Sequence, residues 1–280
     1  MDWFTEYYNG CGLKIRVKEK IVERSEIQRI EIYQTESFGK MLVIDGKIQL
    51  TEFDEAFYHE MLVHIPMITH PKPKDVLIIG GGDGGAVREV LKHNPERIVV
   101  VEIDRNVVDL CKRYLRIDKG ALDDDRVEIV IRDGKAFLED SERFDVIIVD
   151  STDPNPISFT LFDREFFDLA SERCAVFCCQ SQSPVVQRKY FTTVLRNSKA
   201  FKNRRVYVSY VPTYPLALWS FLIAGKRIET DIEKVKRRYK KRKLKTIYYN
   251  PEVHISAFNL PNWLKEVVKD VLNEGRGRNA

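Results

Sequence analysis

A glycine-rich loop between an apolar run and a helical pattern constrains the fold of this chain more than any other feature. Residues 76–79 are all apolar, residues 80–85 are Gly-Gly-Gly-Asp-Gly-Gly, and residues 86–93 have helical periodicity. The loop fits G-x-G-x-x-G through Gly80, Gly82 and Gly85, and a strand–loop–helix unit of this kind is typical of nucleoside-binding α/β domains. Glycine at these positions lets the backbone approach a ligand closely.

Apolar runs alternate with helical patterns from residue 75 onward. After the loop, the runs are 98–101, 127–131 and 145–149, with helices predicted around 107–114 and 136; later runs at 175–179, 207–211 and 219–224 would complete the sheet. Strands without a polar face of their own are covered on both sides, which predicts an α/β domain built on a parallel sheet.

The first 65 residues have a different pattern. Residues 27–33 alternate between apolar and polar side chains, and residues 40–51 predict a hairpin around Asp45-Gly46. A helical pattern covers residues 54–65, and Pro66, Pro71 and Pro73 then indicate a junction. We therefore predict an N-terminal β-strand domain over residues 1–65 and an α/β domain over residues 66–280.

Composition narrows the class of protein. Hydrophobic residues make up 44% and charged residues 31% of the 280 residues, as in globular proteins. A net charge of +4 does not demand a nucleic-acid partner, and no apolar run near 18 residues or signal-peptide pattern indicates a membrane. Five cysteines have no metal-like spacing, and two of them are adjacent in the apolar run at 178–179, which indicates a reduced, buried strand there. This predicts a cytoplasmic location.

A basic run at residues 234–245 has two interpretations. It could bind nucleic acid, or it could be the solvated face of a helix that follows Asp231 and Glu233. We favour the helix face, because no pattern of stacking aromatic residues accompanies the charges.

Carboxylates at two strand ends indicate a nucleoside site. Glu102 ends the second strand, 22 residues after Gly80, where a carboxylate can accept both ribose hydroxyls. Asp133-Gly134 follows the third strand, where the carboxylate could take the exocyclic amine of adenine. These features fit a nicotinamide dehydrogenase and an S-adenosylmethionine-type enzyme. Asp83 favours the second, because an anion in the loop would repel a pyrophosphate and attract a sulfonium or ammonium.

Two further carboxylates, Asp150 and Asp153, follow the fourth strand at the edge where open α/β sheets bind ligands. Together they could bind a diamine. An alkylammonium has a pKa of about 10, so it must lose a proton before its nitrogen can attack carbon. An aspartate held against the ammonium can take that proton. The sequence therefore predicts an enzyme that acts on an amine.

The ordered motifs of the chain resemble those of the polyamine aminopropyltransferases, the spermidine synthase family, over essentially the whole length. The motifs that carry the resemblance are Leu42-Val43-Ile44-Asp45-Gly46 with Gln49, Tyr58-His59-Glu60-Met61, residues 78–85, Val101-Glu102-Ile103-Asp104, Asp133-Gly134, residues 150–154, Gln180 with Ser183-Pro184, Pro212-Thr213-Tyr214-Pro215 with Trp219-Ser220-Phe221, and Tyr249-Asn250-Pro251 with His254 and residues 257–261.

This resemblance implies a Rossmann-like methyltransferase-type domain preceded by a small N-terminal β domain that contributes to a homodimer or homotetramer. It implies decarboxylated S-adenosylmethionine as co-substrate, no metal, a polyamine acceptor such as putrescine or agmatine, and 5′-methylthioadenosine as second product. By position, Asp150 is the proton acceptor; the amine-site residues are Tyr58, His59, Asp83, Ser151, Thr152, Asp153, Gln180 and Tyr214; and the nucleoside-site residues are Gln28, Gln49, Gly80, Gly82, Glu102, Asp133 and Gly134.

Three departures from the family pattern lie near the amine pocket. Asn155-Pro156-Ile157 replaces the usual x-Gly-Pro, Gln182 replaces a glutamate, and Ala217 replaces a glycine. They leave the acceptor open and predict an altered or broadened choice of amine. Two other functions also stay open at this point, an S-adenosylmethionine-dependent methyltransferase and a non-catalytic polyamine-binding protein. Asp150 argues against the latter, because binding alone needs no base.

Overall fold

The computed structural model describes residues 2–273, so the last seven residues of the predicted second domain lie outside the described part of the chain. A five-stranded antiparallel sheet comes first, with its strands adjacent in chain order. Its strands are β1 (Asp2–Tyr8), β2 (Cys11–Ser25), β3 (Arg29–Thr35), β4 (Lys40–Ile44) and β5 (Lys47–Thr51). The predicted hairpin joins β4 to β5, and Asp45 and Gly46 have φ of +50° and +76°, as a two-residue hairpin turn requires.

Helix α1 (Glu55–Thr69) connects this sheet to the rest of the molecule. The helix was predicted to end near residue 65, and Pro66 was expected to break the chain. That expectation is wrong, because Pro66 lies inside α1. Every residue of α1 except Phe57 is buried, so the helix has no single apolar face. The division of the chain at residue 65 stays a prediction, and it falls within this helix.

A seven-stranded sheet forms the second layer, in the order β11-β12-β10-β9-β6-β7-β8. Its strands and the helices between them are β6 (Asp75–Gly80), α2 (Gly85–Leu91), β7 (Arg97–Glu102), α3 (Arg105–Leu110), β8 (Val127–Ile131), α4 (Gly134–Asp140), β9 (Phe144–Asp150), α5 (Arg164–Arg173), β10 (Cys174–Gln180), α6 (Arg188–Asn197), β11 (Arg204–Tyr210) and β12 (Leu218–Gly225). A π-helical turn at Cys111–Leu115 continues α3.

The sheet is mixed, whereas the sequence predicted a parallel one. Strands β6 to β10 are parallel, but β12 runs antiparallel to both β10 and β11. The connection over residues 211–217 is too short for the crossover that a parallel pair needs, so β11 and β12 form an antiparallel pair. Both faces of the sheet are covered, as predicted, by two separate apolar clusters.

The C-terminal part contains α7 (Ile232–Lys241), α8 (Pro251–Ser256) and α9 (Asn262–Asn273). Two arginines of the basic run bond to the end of α1: Arg238 donates to the carbonyls of Ile68 and Thr69 at 2.6 and 3.0 Å, and Arg242 to that of Met67 at 2.6 Å. These donors satisfy carbonyls that a helix end leaves without partners. The run is therefore partly structural, a role that the sequence did not predict. Among residues 2–273 no helix is long and apolar enough to span a bilayer.

Candidate active site

The predicted site residues line one cleft between the N-terminal sheet and the carboxyl ends of β6 to β10. They are Gln28, Gln49, Tyr58, His59, Gly80, Gly82, Asp83, Glu102, Asp133, Gly134, Asp150, Ser151, Thr152, Asp153, Gln180 and Tyr214. Carboxyl ends of parallel strands meet at one edge of a sheet, which explains why residues far apart in sequence converge here. Their individual roles stay predictions.

The glycine loop packs directly on the end of β9. Gly80 has φ of +82°, and a Cβ at that position would lie 2.1 Å from the carbonyl oxygen of Asp150. The Gly81 N–H donates to the same carbonyl at 2.9 Å. A Cβ on Gly85 would lie 2.3 Å from the ring of His59. These positions need glycine because the loop must leave room for the Asp150 backbone and the His59 ring.

Backbone amides hold the carboxylates at the nucleoside end of the cleft. Glu102 accepts N–H bonds from Gly82 at 3.2 Å, from Ile103 at 2.8 Å and from Asp104 at 3.1 Å. Burial raises the pKa of Glu102 to about 7, against the effect of these bonds. Asp133 caps α4 by accepting from the Ala136 N–H at 2.8 Å. These hydrogen bonds fix both carboxylates at the carboxyl ends of their strands.

Asp150 occupies the centre of the amine end, where its side chain is 7% exposed. Its Oδ1 accepts the Tyr58 hydroxyl at 2.8 Å, while its buried Oδ2 has no hydrogen-bond donor among the described residues. Burial raises the pKa of Asp150 to about 6. The charge of His59 lowers this pKa, and the charge of Asp83 raises it further. One carboxylate oxygen is thus free to accept a proton.

Asp83 and His59 form the wall beside Asp150. The Asp83 Oδ1 accepts the Gly85 N–H at 2.7 Å, so this side chain also stabilises the loop turn, and it still lines the cleft. His59 Nε2 lies 3.4 Å from Asp83 Oδ1 and 3.9 Å from Asp150 Oδ2. Burial alone would lower the pKa of His59, but Asp83 and Glu55 raise it to about 9. The imidazole is therefore protonated at neutral pH.

Asp153 marks a second anionic position. Its Oδ2 accepts from the Gln187 Nε2 at 2.7 Å, and burial together with the charge of Glu6 raises its pKa to about 6. Glu6 belongs to β1, is 2% exposed and lines the cleft beside Tyr8. The carboxylates of Asp150 and Asp153 can therefore each meet a cationic group.

Gln180 and Tyr214 complete the amine end. Gln180 donates to the Ser151 carbonyl at 3.3 Å and accepts from Gln182 Nε2 at 2.9 Å, and the Tyr214 hydroxyl donates to the Gln49 carbonyl. Gln182 is fully buried, and its Oε1 has no donor among the described residues. Of these hydrogen bonds, the one from Tyr214 to Gln49 joins the loop before β12 to the N-terminal sheet.

Sequence reasoning missed several residues of this region. Glu6 and Tyr8 reach the cleft from β1, Gln187 orients Asp153, and Glu55 with Arg88 supports His59. Glu55 has a local signal, because it lies four residues before His59 on the predicted helix. The others act on partners distant in sequence or lie outside any motif. The resemblance to a known family also named none of them.

Two groups of described side chains are close enough to hold a metal ion: His59 with Asp83 and Asp150, and Glu60 with His64 and Glu89. In the first group, His59 Nδ1 already pairs with Glu55 at 2.8 Å and Asp83 Oδ1 already accepts the Gly85 N–H at 2.7 Å. In the second group the Glu60 carboxylate already accepts three backbone N–H bonds, and Glu89 pairs with Arg88 and Lys92. We therefore assign no metal to either group.

The chain is similar to known proteins along nearly its whole length. The spermine/spermidine synthase domain matches residues 55–234, and the spermidine synthase tetramerisation domain matches residues 2–52. A polyamine aminopropyltransferase of Archaeoglobus fulgidus is 62% identical over 96% of this chain and 99% of its own length. One of Caldicellulosiruptor bescii is 40% identical over 95% of this chain and 98% of its own length.

Two solved structures share the fold. A spermidine synthase in complex with the transition-state analogue AdoDATO superposes with a TM-score of 0.91 and 39% identity, over 95% of this chain and 94% of the other. The spermidine synthase of Thermotoga maritima gives a TM-score of 0.90 and 39% identity, over 96% and 94%. The similarity covers both sheets and the cleft between them.

Proposed function

Because the chain belongs to the spermine/spermidine synthase family, we propose that it moves the aminopropyl group of decarboxylated S-adenosylmethionine onto a polyamine acceptor. The observation that carries this proposal is the division of the cleft. One end presents Glu102 and Asp133 for a nucleoside, and the other presents Asp83, Asp150 and Asp153 for cationic chains. A nucleoside that carries a sulfonium and an aminopropyl ammonium fits both ends at once.

The reaction is a displacement at carbon. The lone pair of the acceptor nitrogen attacks the aminopropyl methylene next to sulfur, the carbon–sulfur bond breaks, and its electron pair stays on sulfur as 5′-methylthioadenosine leaves. The proton that the nitrogen sheds goes to Asp150, whose Oδ2 is the unoccupied oxygen. Tyr58 holds the other oxygen and so fixes the orientation of the carboxylate. Positioning of the two substrates supplies much of the acceleration, because the sulfonium is already activated by its charge.

A product analysis tests the proposal. We would incubate the protein with decarboxylated S-adenosylmethionine and a panel of amines, and follow the aminopropylated amine and 5′-methylthioadenosine by mass spectrometry. Release of both products in equal amounts is expected. Turnover of S-adenosylmethionine to S-adenosylhomocysteine would instead indicate a methyltransferase, and binding of amines without any turnover would indicate a polyamine-binding protein.

The acceptor is a separate question, on which Gln182 bears. Its Nε2 donates to Gln180, and a hydrogen bond from its side chain lowers the pKa of Asp153. An uncharged amide therefore lies between Gln180 and Asp153 at the amine end. We propose that acceptor choice is broader than in a strict putrescine enzyme, because specificity is a difference between affinities. In Gln182→Glu, the ratios of kcat/KM for putrescine, agmatine, cadaverine and spermidine should change by roughly 10-fold. A hundredfold preference for putrescine that Gln182→Glu leaves unchanged would contradict this.

We further propose that the protein works as a homodimer or homotetramer in the cytoplasm. The match of residues 2–52 to a tetramerisation domain supports the assembly. The five cysteines are free thiols, which is the usual state in a reducing compartment. Sedimentation analysis of the purified protein would distinguish the two assemblies.

A further inference from the structure

A chain of buried charges leads from the amine end of the cleft into the protein. His59 Nδ1 lies 2.8 Å from the Glu55 Oε2, one turn earlier on α1, and Arg88 Nη2 of α2 donates to the same oxygen at 2.8 Å. The Arg88 guanidinium is held in turn by the Ile117 carbonyl at 2.6 Å and by Glu89 at 2.8 Å. Neither Glu55 nor Arg88 is among the residues that line the cleft.

The geometry decides which nitrogens of His59 carry protons. Hydrogen bonding to His59 and to Arg88 lowers the pKa of Glu55 to about 2 despite its burial, so Glu55 is a carboxylate and Nδ1 must be the donor. On the other side of the ring, Nε2 faces the oxygens of Asp83 and Asp150 at 3.4 and 3.9 Å. A neutral ring would direct its lone pair at two anions, whereas a protonated ring directs an N–H at them.

We propose that Glu55 and Arg88 are positioning residues that hold His59 as an imidazolium, so that Asp150 enters the reaction as a carboxylate. This inference rests on the proposed role of Asp150 as proton acceptor. The opposing group is Asp83, since its charge disfavours ionisation of Asp150 and His59 offsets it. A fixed internal cation favours the ionised form of Asp150 in a buried site before either substrate brings its own positive charge.

Titratable groups from several elements surround His59 and Asp150. The groups that face His59 or Asp150 are Glu55 and Tyr58 on α1, Asp83 in the glycine loop, Arg88 on α2 behind Glu55, Cys178 on β10 and Tyr214 before β12. Burial raises the pKa of Tyr58, Tyr214 and Cys178, so these three groups stay neutral in the working range of pH. Asp83, Glu55 and Arg88 therefore set the charge of the His59–Asp150 pair.

The test is the pH profile of Glu55→Gln. Glutamine keeps an oxygen for Nδ1 and removes only the charge, so His59 should lose its proton at lower pH and Asp150 should ionise at higher pH. We expect the acid limb of kcat/KM to move up by about one pH unit, which makes the variant roughly 5- to 10-fold slower than wild type at pH 6. The two rates should converge at pH 9, and Glu55→Asp should return the limb toward its wild-type position.

A matched control separates charge from stability. Glu89→Gln removes the other buried carboxylate that pairs with Arg88, at 2.8 Å, without contact to His59. It should lower the melting temperature and leave the acid limb unchanged. The same contrast should appear in an NMR titration of His59 without substrates. In wild type and in Glu89→Gln, His59 should stay protonated at pH 8. In Glu55→Gln, the pKa of His59 should be at least one unit lower. His59→Asn identifies the resonance.

The outcomes decide between the possibilities. A rate loss in Glu55→Gln that is equal at every pH, or a limb that coincides with wild type, would overturn the inference, and so would a wild-type His59 that titrates at its ordinary pKa. If Glu55→Gln does not fold, the same test is made with His59→Asn. Its acid limb of kcat/KM must lie at higher pH than that of wild type, and an acid limb at the wild-type pH refutes the inference. Failure of the wild-type protein to transfer an aminopropyl group would be a different result, because it would refute the proposed function.

Discussion

Acidic side chains have different hydrogen-bond partners at the two ends of the cleft. At the nucleoside end, Glu102 and Asp133 accept backbone N–H groups that fix them at the ends of their strands. At the amine end, Asp150 is held by the Tyr58 hydroxyl and faces the His59 imidazolium, with one oxygen left free. Backbone donors hold Glu102 and Asp133 at the ends of their strands, whereas Asp150 keeps one oxygen open to a substrate proton. We expect substitutions at the two ends to separate binding from chemistry.

The largest effect should follow Asp150→Asn. The amide keeps the bond to Tyr58 but cannot take a proton, so kcat should fall by ~10²–10⁴-fold while 5′-methylthioadenosine still binds. Steady-state kinetics and calorimetry measure the two quantities. Asp163→Asn, which changes an N-cap aspartate of α5 outside the cleft, is the matched control and should keep its rate. Activity near wild type in Asp150→Asn would remove this residue from the proposed role.

Glu102→Gln should affect binding instead. Above pH 8, where Glu102 with its pKa of about 7 is ionised, the variant loses a charged acceptor for the ribose hydroxyls. Such a hydrogen bond contributes about 1.5–3 kcal/mol. Calorimetry should show 5′-methylthioadenosine bound roughly 10- to 100-fold more weakly, with kcat at saturating donor within a few-fold of wild type. If kcat fell as far as in Asp150→Asn while binding stayed tight, the division of the cleft into two ends would be wrong.

Asp83→Asn should reduce discrimination between donors. We expect Asp83 to face the aminopropyl ammonium, and the parent S-adenosylmethionine adds a carboxylate on the same tail that this aspartate repels. The ratio of affinities for the decarboxylated and parent donors should shrink by roughly 10-fold in the variant. Equal binding of both donors by the wild-type protein would contradict the assignment of Asp83 to the donor tail.

The smallest expected effect is on stability, and here the substitution should improve the protein rather than impair it. The pKa of Asp153 rises from 3.8 to about 6 on folding, so between these values the folded state binds more protons than the unfolded one. The free energy of unfolding therefore falls as pH rises from about 4 to about 6. Asp153→Asn removes this cost, and its melting temperature should exceed that of wild type by roughly 2–6 °C at pH 8. The gain should vanish near pH 4; a variant that is less stable at pH 8 would show that the Asp153 charge is compensated.

Much of this molecule could be predicted from sequence because its signals are local. The apolar run and glycine loop define β6, the turn and α2, and the Asp45-Gly46 turn defines a hairpin. Strand ends of a parallel sheet share one edge, so residues placed at those ends had to converge. The resemblance to the family added Gln28, Gln49 and Tyr58, which also line the cleft.

The amino-acid sequence by itself thus determined which carboxylates end which strands, and that these carboxylates face a common cleft. Only the tertiary structure decided which partners those carboxylates have. Glu55 meets Arg88 across 33 positions, Asp153 meets Gln187 across 34, and Glu6 meets the Ile48 amide across 42. Such pairs depend on the packing of α1, α2, β1 and the start of α6 around the sheet, and no periodicity or turn signal encodes them. The continuation of α1 through Pro66 also became visible only in the structure, whereas the direction of β12 follows from the short connection over residues 211–217.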